Sequence, residues 1–460
     1  MDRIGQLFLE ALRASLENRK LIQNEAVSES EWTAVLKLAG QHHVLPMVFE
    51  AVRGTAALSL SAPAMAAYRQ ETLRTVFLQA ARTEEFKKLY KYLTDTGLKP
   101  CVVKGIVCRG LYPNADARMS ADEDLLVDER DFAKAHELLL QYGLFPEGDE
   151  DPATACEIGY RGEKSVLYIE LHKTLFPPDS KAYGDLNRLF AGAEDCLIRT
   201  EACGLELWTM PAADNLLYLL LHSFKHFLHS GFGLRQVCDI VLFAQRFGKD
   251  IDWDLLLGKL SSVRAEGFTS AVFAIGEKYL GFDSAAAGMS SAWMNMKVDE
   301  QPMLEDLLAS GVFGQDLNRR HSSNITLDAV AAEKQGRRSG GVLSAVFLPY
   351  SSMAEKFEYV NKYPFLLPVG WVHRVIKYKT ENTGHEASES LRLGRERTEL
   401  LAKYGVIDSK KSRKSTAPAA IAAFAVLAAA GICANSGLWL AAAVLLIAAA
   451  IAMLVTRKCR

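Results

Sequence analysis

Apolar residues recur at helical spacing through the first ninety or so positions. Phe8, Leu9, Leu12 and Leu16 form one stripe, and Trp32, Val35, Leu36 and Leu38 form another, the period of amphipathic helices. Ser28-Glu-Ser-Glu31 offers an N-cap followed by acids in the first turn, where the helix dipole favours them. A long Ala-rich run from Ala64 to Thr94 leads into Cys101-Val-Val103, and there the pattern changes. A strand is followed by a tight Lys104-Gly105 turn, a short helix, and a second strand headed by Asp122-Glu-Asp124-Leu-Leu-Val127. Asp128 can cap a helix from about Glu129 to Tyr142, with Gly143 as its stop. The strand-like run Ser165 to His172 ends at Phe176-Pro-Pro, a clear breaker. Strands alternating with helices predict a small α/β domain.

Helical spacing returns at Asp214 to Leu228, and a second helix follows Gly231-Phe-Gly233. Arg319 to Gly341 is polar and contains Gly and Arg, which reads as a loop or hinge. Beyond it, short apolar stretches punctuated by prolines suit packing against the helical body. The tail differs from everything before it. Ala417 to Ala434 and Leu438 to Val455 carry no charge, and each run is about long enough to cross a bilayer core of roughly 30 Å. Basic residues flank both outer ends, so the positive-inside rule places both ends in the cytosol.

The expected fold class is therefore α+β and mostly helical. A small mixed-sheet domain is flanked by helical regions, with a C-terminal transmembrane helical hairpin. The expected divisions are an N-terminal helical region (1–90), the α/β domain (91–205), a helical domain (206–335), a packing segment (336–408), a basic linker (409–416) and the hairpin (417–456). The hairpin implies a bilayer partner and membrane anchorage, with the site-bearing region in the cytoplasm. At 460 residues, two or three domains is the ordinary prior.

Net charge changes the picture in one respect. A value of −2 and a pI near 6.6 argue against a protein that coats nucleic acid, so there is no strong nucleic-acid signal. The eight cysteines include no Cys-x-x-Cys pair, which excludes a zinc ribbon or a thioredoxin-type motif and fits a reducing compartment. The N-terminal residues carry an acid and lack a long apolar core, so no signal peptide is expected.

Candidate chemistry centres on Asp122 and Asp124. Residues two apart in a strand share a face, and two carboxylates that close repel unless a cation sits between them. Magnesium takes oxygen ligands and typically combines one or two carboxylates with substrate phosphates. A third acid, Glu170, alternates in the same sense as Tyr168 and His172. Three carboxylates from adjacent strands would form a metal-dependent phosphoryl-transfer centre. His222 and His226 are four apart on a helix, but His-Glu-x-x-His is absent. Lys225 and Arg235 instead read as part of a polar cluster facing the α/β domain and able to meet phosphates. His42 and His43 read as structural.

With these residues in hand, the chain resembles the uncharacterised nucleotidyltransferase family of the polymerase-β-type superfold. The marks are Val-Val-Lys104-Gly105, Arg118 ahead of Asp122-Glu-Asp124-Leu-Leu-Val, and Glu170-Leu-His172. Further along come His222-Ser-Phe-Lys-His226, Gly233-Leu-Arg235 to Asp239, and Pro-Val-Gly-Trp371 to Arg374. The resemblance implies that Asp122, Asp124 and Glu170 bind two magnesium ions that hold a nucleoside triphosphate, with Glu170 bridging a metal or helping to deprotonate the acceptor. It implies that Lys104 and Gly105 present a charge and backbone N–H groups to phosphate, and that Arg118, Lys225, His226, Arg235 and Asp239 line the nucleotide site. Two departures stand out. Lys-Gly replaces the usual Gly-Ser or Gly-Gly turn, and Glu123 sits where an apolar residue is usual, on the opposite strand face, where pairing with a cation is one expectation.

The expected function is magnesium-dependent transfer of a nucleotidyl group from a nucleoside triphosphate to an acceptor at the cytosolic membrane face. Two other classes fit the same acids: a catalytically inactive nucleotide-binding or scaffold protein, and a kinase-like phosphotransferase.

Overall fold

The computed structural model describes residues 1–311, 317–336, 348, 350–371, 373–374 and 387–408. The described residues fall into two compact units, one of residues 1–311 with 404–406 and one of those from 317 to 403 with 407–408.

The first unit opens with α1 (Arg3–Leu16), α2 (Glu29–Gln41), α3 (Leu45–Val52) and the long α4 (Ala62–Asp95). Ser28 and Glu31 form a reciprocal capping box at α2. Then come β1 (Cys101–Val102), α5 (Ile106–Arg109), β2 (Glu123–Leu126), α6 (Glu129–Tyr142), β3 (Phe145–Pro146), β4 (Glu157–Arg161), β5 (Tyr168–His172), β6 (Ile198–Ala202) and β7 (Leu205–Thr209). Asp128 caps α6 and Gly143 ends it in the left-handed conformation. The seven strands form one mixed sheet in the order β3-β4-β5-β2-β1-β7-β6. Buried Val102, Leu125, Ile169 and Leu171 fill its centre. α7 (Ala212–His229), α8 (Leu234–Phe247), α9 (Trp253–Ser261) and α10 (Glu266–Leu280) continue the unit. α7 buries almost all of its leucines, as its near-continuous apolar run requires.

Helix α4 fixes the strands that matter most. The Tyr90 hydroxyl donates to the Pro100 carbonyl and accepts from the Trp208 amide, both at 2.8 Å. One helical turn or more earlier, Gln79 Oε1 accepts from the Ser120 amide at 2.7 Å, and the Arg82 guanidinium donates to the Ser120 and Val166 carbonyls. The lead-ins to β2 and β5 are thereby held by one helix.

In the second unit, described by itself, the helices Leu317–Lys334 and Ala387–Lys403 meet closely at Gly394, where an added Cβ would lie 2.5 Å from Ile325. Met353, Phe357 and Val360 form a small core with Trp371 and Leu367 against it. The expected loop over 319–341 is corrected in its first part, because Leu317–Lys334 is helical. It buries Ile325, Ala329, Val330, Ala331 and Ala332, and that packing outweighs a polar average composition.

The expected fold class is also corrected. The mixed sheet and dominant helices are α+β, but no described helix is long and apolar enough to cross a membrane. The described helices of sufficient length carry charges along their run, as α4 does at Arg69, Glu71, Arg74, Arg82 and Glu84, and each would be costly in hydrocarbon. The stretch 417–456, to which the hairpin was assigned, lies outside the described residues.

His42 is fully buried and stacks on Phe8 at 5.4 Å between ring centroids. Burial lowers its pKa to about 4, below the ordinary value near 6.5 for an unfolded chain. The unfolded state therefore takes up a proton first as pH falls, and the stability present above about pH 6.5 is lost progressively toward pH 4. Replacing His42 with Gln is expected to remove up to about 3 kcal/mol of this acid sensitivity, read as a flatter denaturation midpoint between pH 7 and pH 4.5.

Candidate active site

Strands β2 and β5 run parallel, with Asp124 opposite Glu170 and Leu126 opposite His172. Asp122 precedes β2 immediately, on the Asp124 side of the alternation. Antiparallel β4 adds Glu157 opposite His172. Two-residue alternation therefore gathers five polar side chains on one sheet face.

Lys104 enters this group from the turn after β1. Its ammonium lies 3.2 Å from Asp122 Oδ2 and 2.9 Å from Asp124 Oδ2. Burial works against its charge, but Asp122 and Asp124 outweigh burial and hold its pKa well above the ordinary lysine value. Asp124 is 1% exposed. Burial alone would raise its pKa, yet Lys104, then His172, hold it well below the carboxylate range. The other Asp124 oxygen, Oδ1, is 3.6 Å from His172 Nε2, which is 3.8 Å from Glu170 Oε2. His172 Nδ1 faces Glu157 Oε2 at 3.4 Å. Burial raises the Glu170 pKa, Asp124 and Asp122 raise it further, and the result is about 7.

One ligand atom from each of Asp124, Glu170 and His172 lies within 4.8 Å of the others. With Asp124 Oδ2 taken by Lys104, the buried Asp124 Oδ1 and the His172 nitrogens form no hydrogen bond of normal geometry, and such unsatisfied groups in a native interior call for an ion or a ligand. Metal–ligand bonds of about 2.0–2.3 Å place neighbouring donors roughly 3–3.6 Å apart, within a small side-chain adjustment of the distances seen. The residues fit a divalent cation.

The two departures noted in the sequence explain each other. Glu123 points away from the acids and meets the fully buried Arg109 at 2.5 Å. Its other oxygen accepts the Ile106 amide at 2.8 Å. Gly105 has φ +56°, and a Cβ there would lie 2.0 Å from Glu123 Oε2. Glycine is required at this turn, and the Ile106 amide at the start of α5 is bonded to Glu123.

Helices α7 and α8 carry further polar groups that feel the charges of Lys104, Asp124 and Asp122. His222, Lys225, His226 and His229 share one face of α7 by helical spacing. His222 Nδ1 is 3.2 Å from the Tyr218 hydroxyl and His222 Nε2 is 3.0 Å from His226 Nε2. Burial first, then Lys104 for His222 and Lys225 for His226, hold both pKa values well below the ordinary histidine value. Arg235, at the start of α8, donates to the Met119 carbonyl. Neither Lys225 nor Arg235 forms an ion pair among the described residues.

Of the residues expected at the site, Asp122, Asp124, Glu170 and Lys104 meet. Lys225 and His226 lie on the α7 face whose histidines feel the charges of Lys104 and Asp124. Arg235 feels the charge of Asp122. Arg118 and Asp239 are both buried and bond to each other in two-pronged fashion, Nε to Oδ1 at 3.1 Å and Nη2 to Oδ2 at 2.5 Å. Tyr112 adds a hydroxyl donor to Asp239 Oδ1 at 2.7 Å, and the set ties the α5–β2 connection to α8. Sequence reasoning did not assign His172, Glu157, Arg109 or the positioning residues Gln79 and Arg82. For His172 a signal existed, its place two residues after Glu170. For the others nothing local marks the role.

Removing one member of a buried ion pair leaves the other charge uncompensated, at a cost of about 3–5 kcal/mol. Asp239→Ala is expected to lose about that much in urea denaturation. Arg118→Met combined with Asp239→Leu should recover most of it, because an apolar replacement leaves no buried charge behind.

No curated protein and no solved structure matches the chain. One family does: residues 28–281, more than half of the chain, match the family described as uncharacterised nucleotidyltransferase. The matched stretch runs from the N-cap of α2 to the residue after α10 and contains all of the site residues above. The chain belongs to the uncharacterised nucleotidyltransferase family, and the carboxylate–histidine cluster on β2 and β5 is the candidate metal site of a transferase.

Proposed function

We propose that this protein transfers a nucleotidyl group from a nucleoside triphosphate to a hydroxyl-bearing acceptor. The observation that carries the reading is the convergence of Asp122, Asp124 and Glu170 from neighbouring strands, with two cations on the helices packed nearby, Lys225 and Arg235, that form no ion pair among the described residues. Acids alone would repel a triphosphate, and cations alone would bind it without chemistry. Together they form a site that takes a divalent ion on one side and phosphate oxygens on the other.

Asp124, Glu170 and His172 are the residues that would hold the ion, with Asp122 beside them paired to Lys104. When bound, it would offset phosphate charge and polarise the attacked phosphoryl group. Arg235 can engage two phosphate oxygens at once through its planar guanidinium, whereas Lys225 acts as a point charge. Burial, then Asp124 and Asp122, raise the Glu170 pKa to about 7, a repulsion that a bound cation would relieve. The His222–His226 pair, bonded to Tyr218 and kept neutral by burial, adds no charge beside Lys104.

The test separates this reading from a kinase-like one and from a binding-only one. With α-labelled nucleoside triphosphates and fractionated cell extract, the protein is expected to release pyrophosphate and move label into an acceptor. Label moving only from the γ position would make it a kinase, and nucleotide binding without turnover would make it a scaffold. Asp124→Asn should lower turnover by at least about 100-fold, with Asp122 left to compensate the Lys104 ammonium. Arg235→Lys should raise the KM for the triphosphate more than it lowers kcat, since it removes two-pronged contact and keeps the charge.

A further inference from the structure

We infer that Lys104 is a built-in cation in the active site, so that the site takes one divalent ion instead of two, and that this ion is of the class that accepts an imidazole ligand, such as Mn2+. The inference rests on the nucleotidyl-transfer reading for its place in the chemistry, but its test needs neither nucleotide nor acceptor.

Three observations carry it. Lys104 Nζ lies between the two aspartates, 3.2 Å from one and 2.9 Å from the other, in the space a cation bridging that pair would need. The side chain is only 10% exposed, and it leaves a turn whose glycine cannot be changed without striking Glu123. The ammonium therefore belongs to the framework of the site. A divalent ion bridging Asp122 and Asp124 would have to displace it and set a double charge beside it in a buried place, where like charges repel strongly.

The remaining donors point elsewhere. Asp124 Oδ1, Glu170 Oε2 and His172 Nε2 face one another, on the side of Asp124 away from Lys104. Asp124 and His172 are both more than nine-tenths buried, and Asp124 Oδ1 and the His172 nitrogens lack hydrogen bonds of normal geometry. Glu157 stands 3.4 Å from the far nitrogen of the ring, Nδ1. A carboxylate behind a histidine is the arrangement that fixes the tautomer and turns Nε2 toward a metal.

The kind of ion follows from the nitrogen donor. Magnesium prefers an all-oxygen shell; manganese shares its liking for carboxylates but accepts an imidazole beside them, and iron, nickel and zinc favour one. This departs from the two magnesium ions expected from the sequence, and Lys104 with His172 is the reason.

The experiment is titration of the full chain with Mn2+ alone, following free ion by electron paramagnetic resonance and bound ion by electron spin echo. The expected result is one ion per chain, with nitrogen modulation from a directly bound imidazole. Mg2+ should displace it only at more than about tenfold excess. His172→Ala should lose the nitrogen modulation and weaken binding by about 10- to 100-fold. Lys104→Met should admit a second Mn2+. Two ions on the unaltered chain, the absence of nitrogen modulation, equal competition by Mg2+, or no binding at all would each overturn the inference. Because the first readouts use the unaltered chain, a variant that fails to fold does not shield it. A failed label-transfer assay beside a single nitrogen-bound ion would instead refute the nucleotidyl reading alone.

Discussion

The site depends on the parallel pairing of β2 with β5, which sets Asp124 directly against Glu170. Neighbouring strands are separated by about 4.8 Å, so this register forces two carboxylates together in a largely buried place. Everything around them answers the resulting repulsion. Lys104 neutralises the aspartates from one side, and His172 meets Asp124 and Glu170 from the other. Glu170 gives way by holding its proton to about pH 7. A one-residue slip of β5 would turn Glu170 and His172 to the opposite face. The hydrogen bonds from α4 to Ser120 and Val166 hold both strand entries against such a slip.

The opposite face of β2 has its own charge problem and solves it separately. Glu123 is buried there against Arg109 and the Ile106 amide, beneath a glycine that no other residue can replace without a clash. The backbone N–H at the start of α5 is spent on this carboxylate, so the cationic partner on the acid face is the Lys104 side chain. Farther out, Arg118, Asp239 and Tyr112 close on one another. They bind the sheet to the helix that carries Arg235, and so set where that guanidinium stands relative to Asp122.

Local patterns made much of this legible. Ser28 and Asp128 mark helix starts and Gly143 marks a helix stop because caps satisfy backbone groups within a few residues. The spacing of Asp122, Glu123 and Asp124 assigns faces because a strand alternates with period two. Arg118 and Asp239 show the limit of such reading. Their charges are conspicuous in the sequence, but their attachment to each other spans more than a hundred positions, and no spacing rule reaches that far. The helix Leu317–Lys334 shows another limit. Its mean polarity masks an apolar face, and a face is recognised only once a partner covers it.

The sequence by itself determined the strand that carries the acids, which of them share a face, and the helical spacing of His222, Lys225 and His226. It did so because these are properties of a few consecutive residues and of fixed backbone periods. Only the tertiary structure decided that β5 lies beside β2 across the intervening α6, β3 and β4, that His172 and Glu157 complete the cluster, and that Lys104 falls between the aspartates. Those outcomes depend on which strand finds which neighbour and in what register, a choice made by the whole packed sheet and not by any one segment of it.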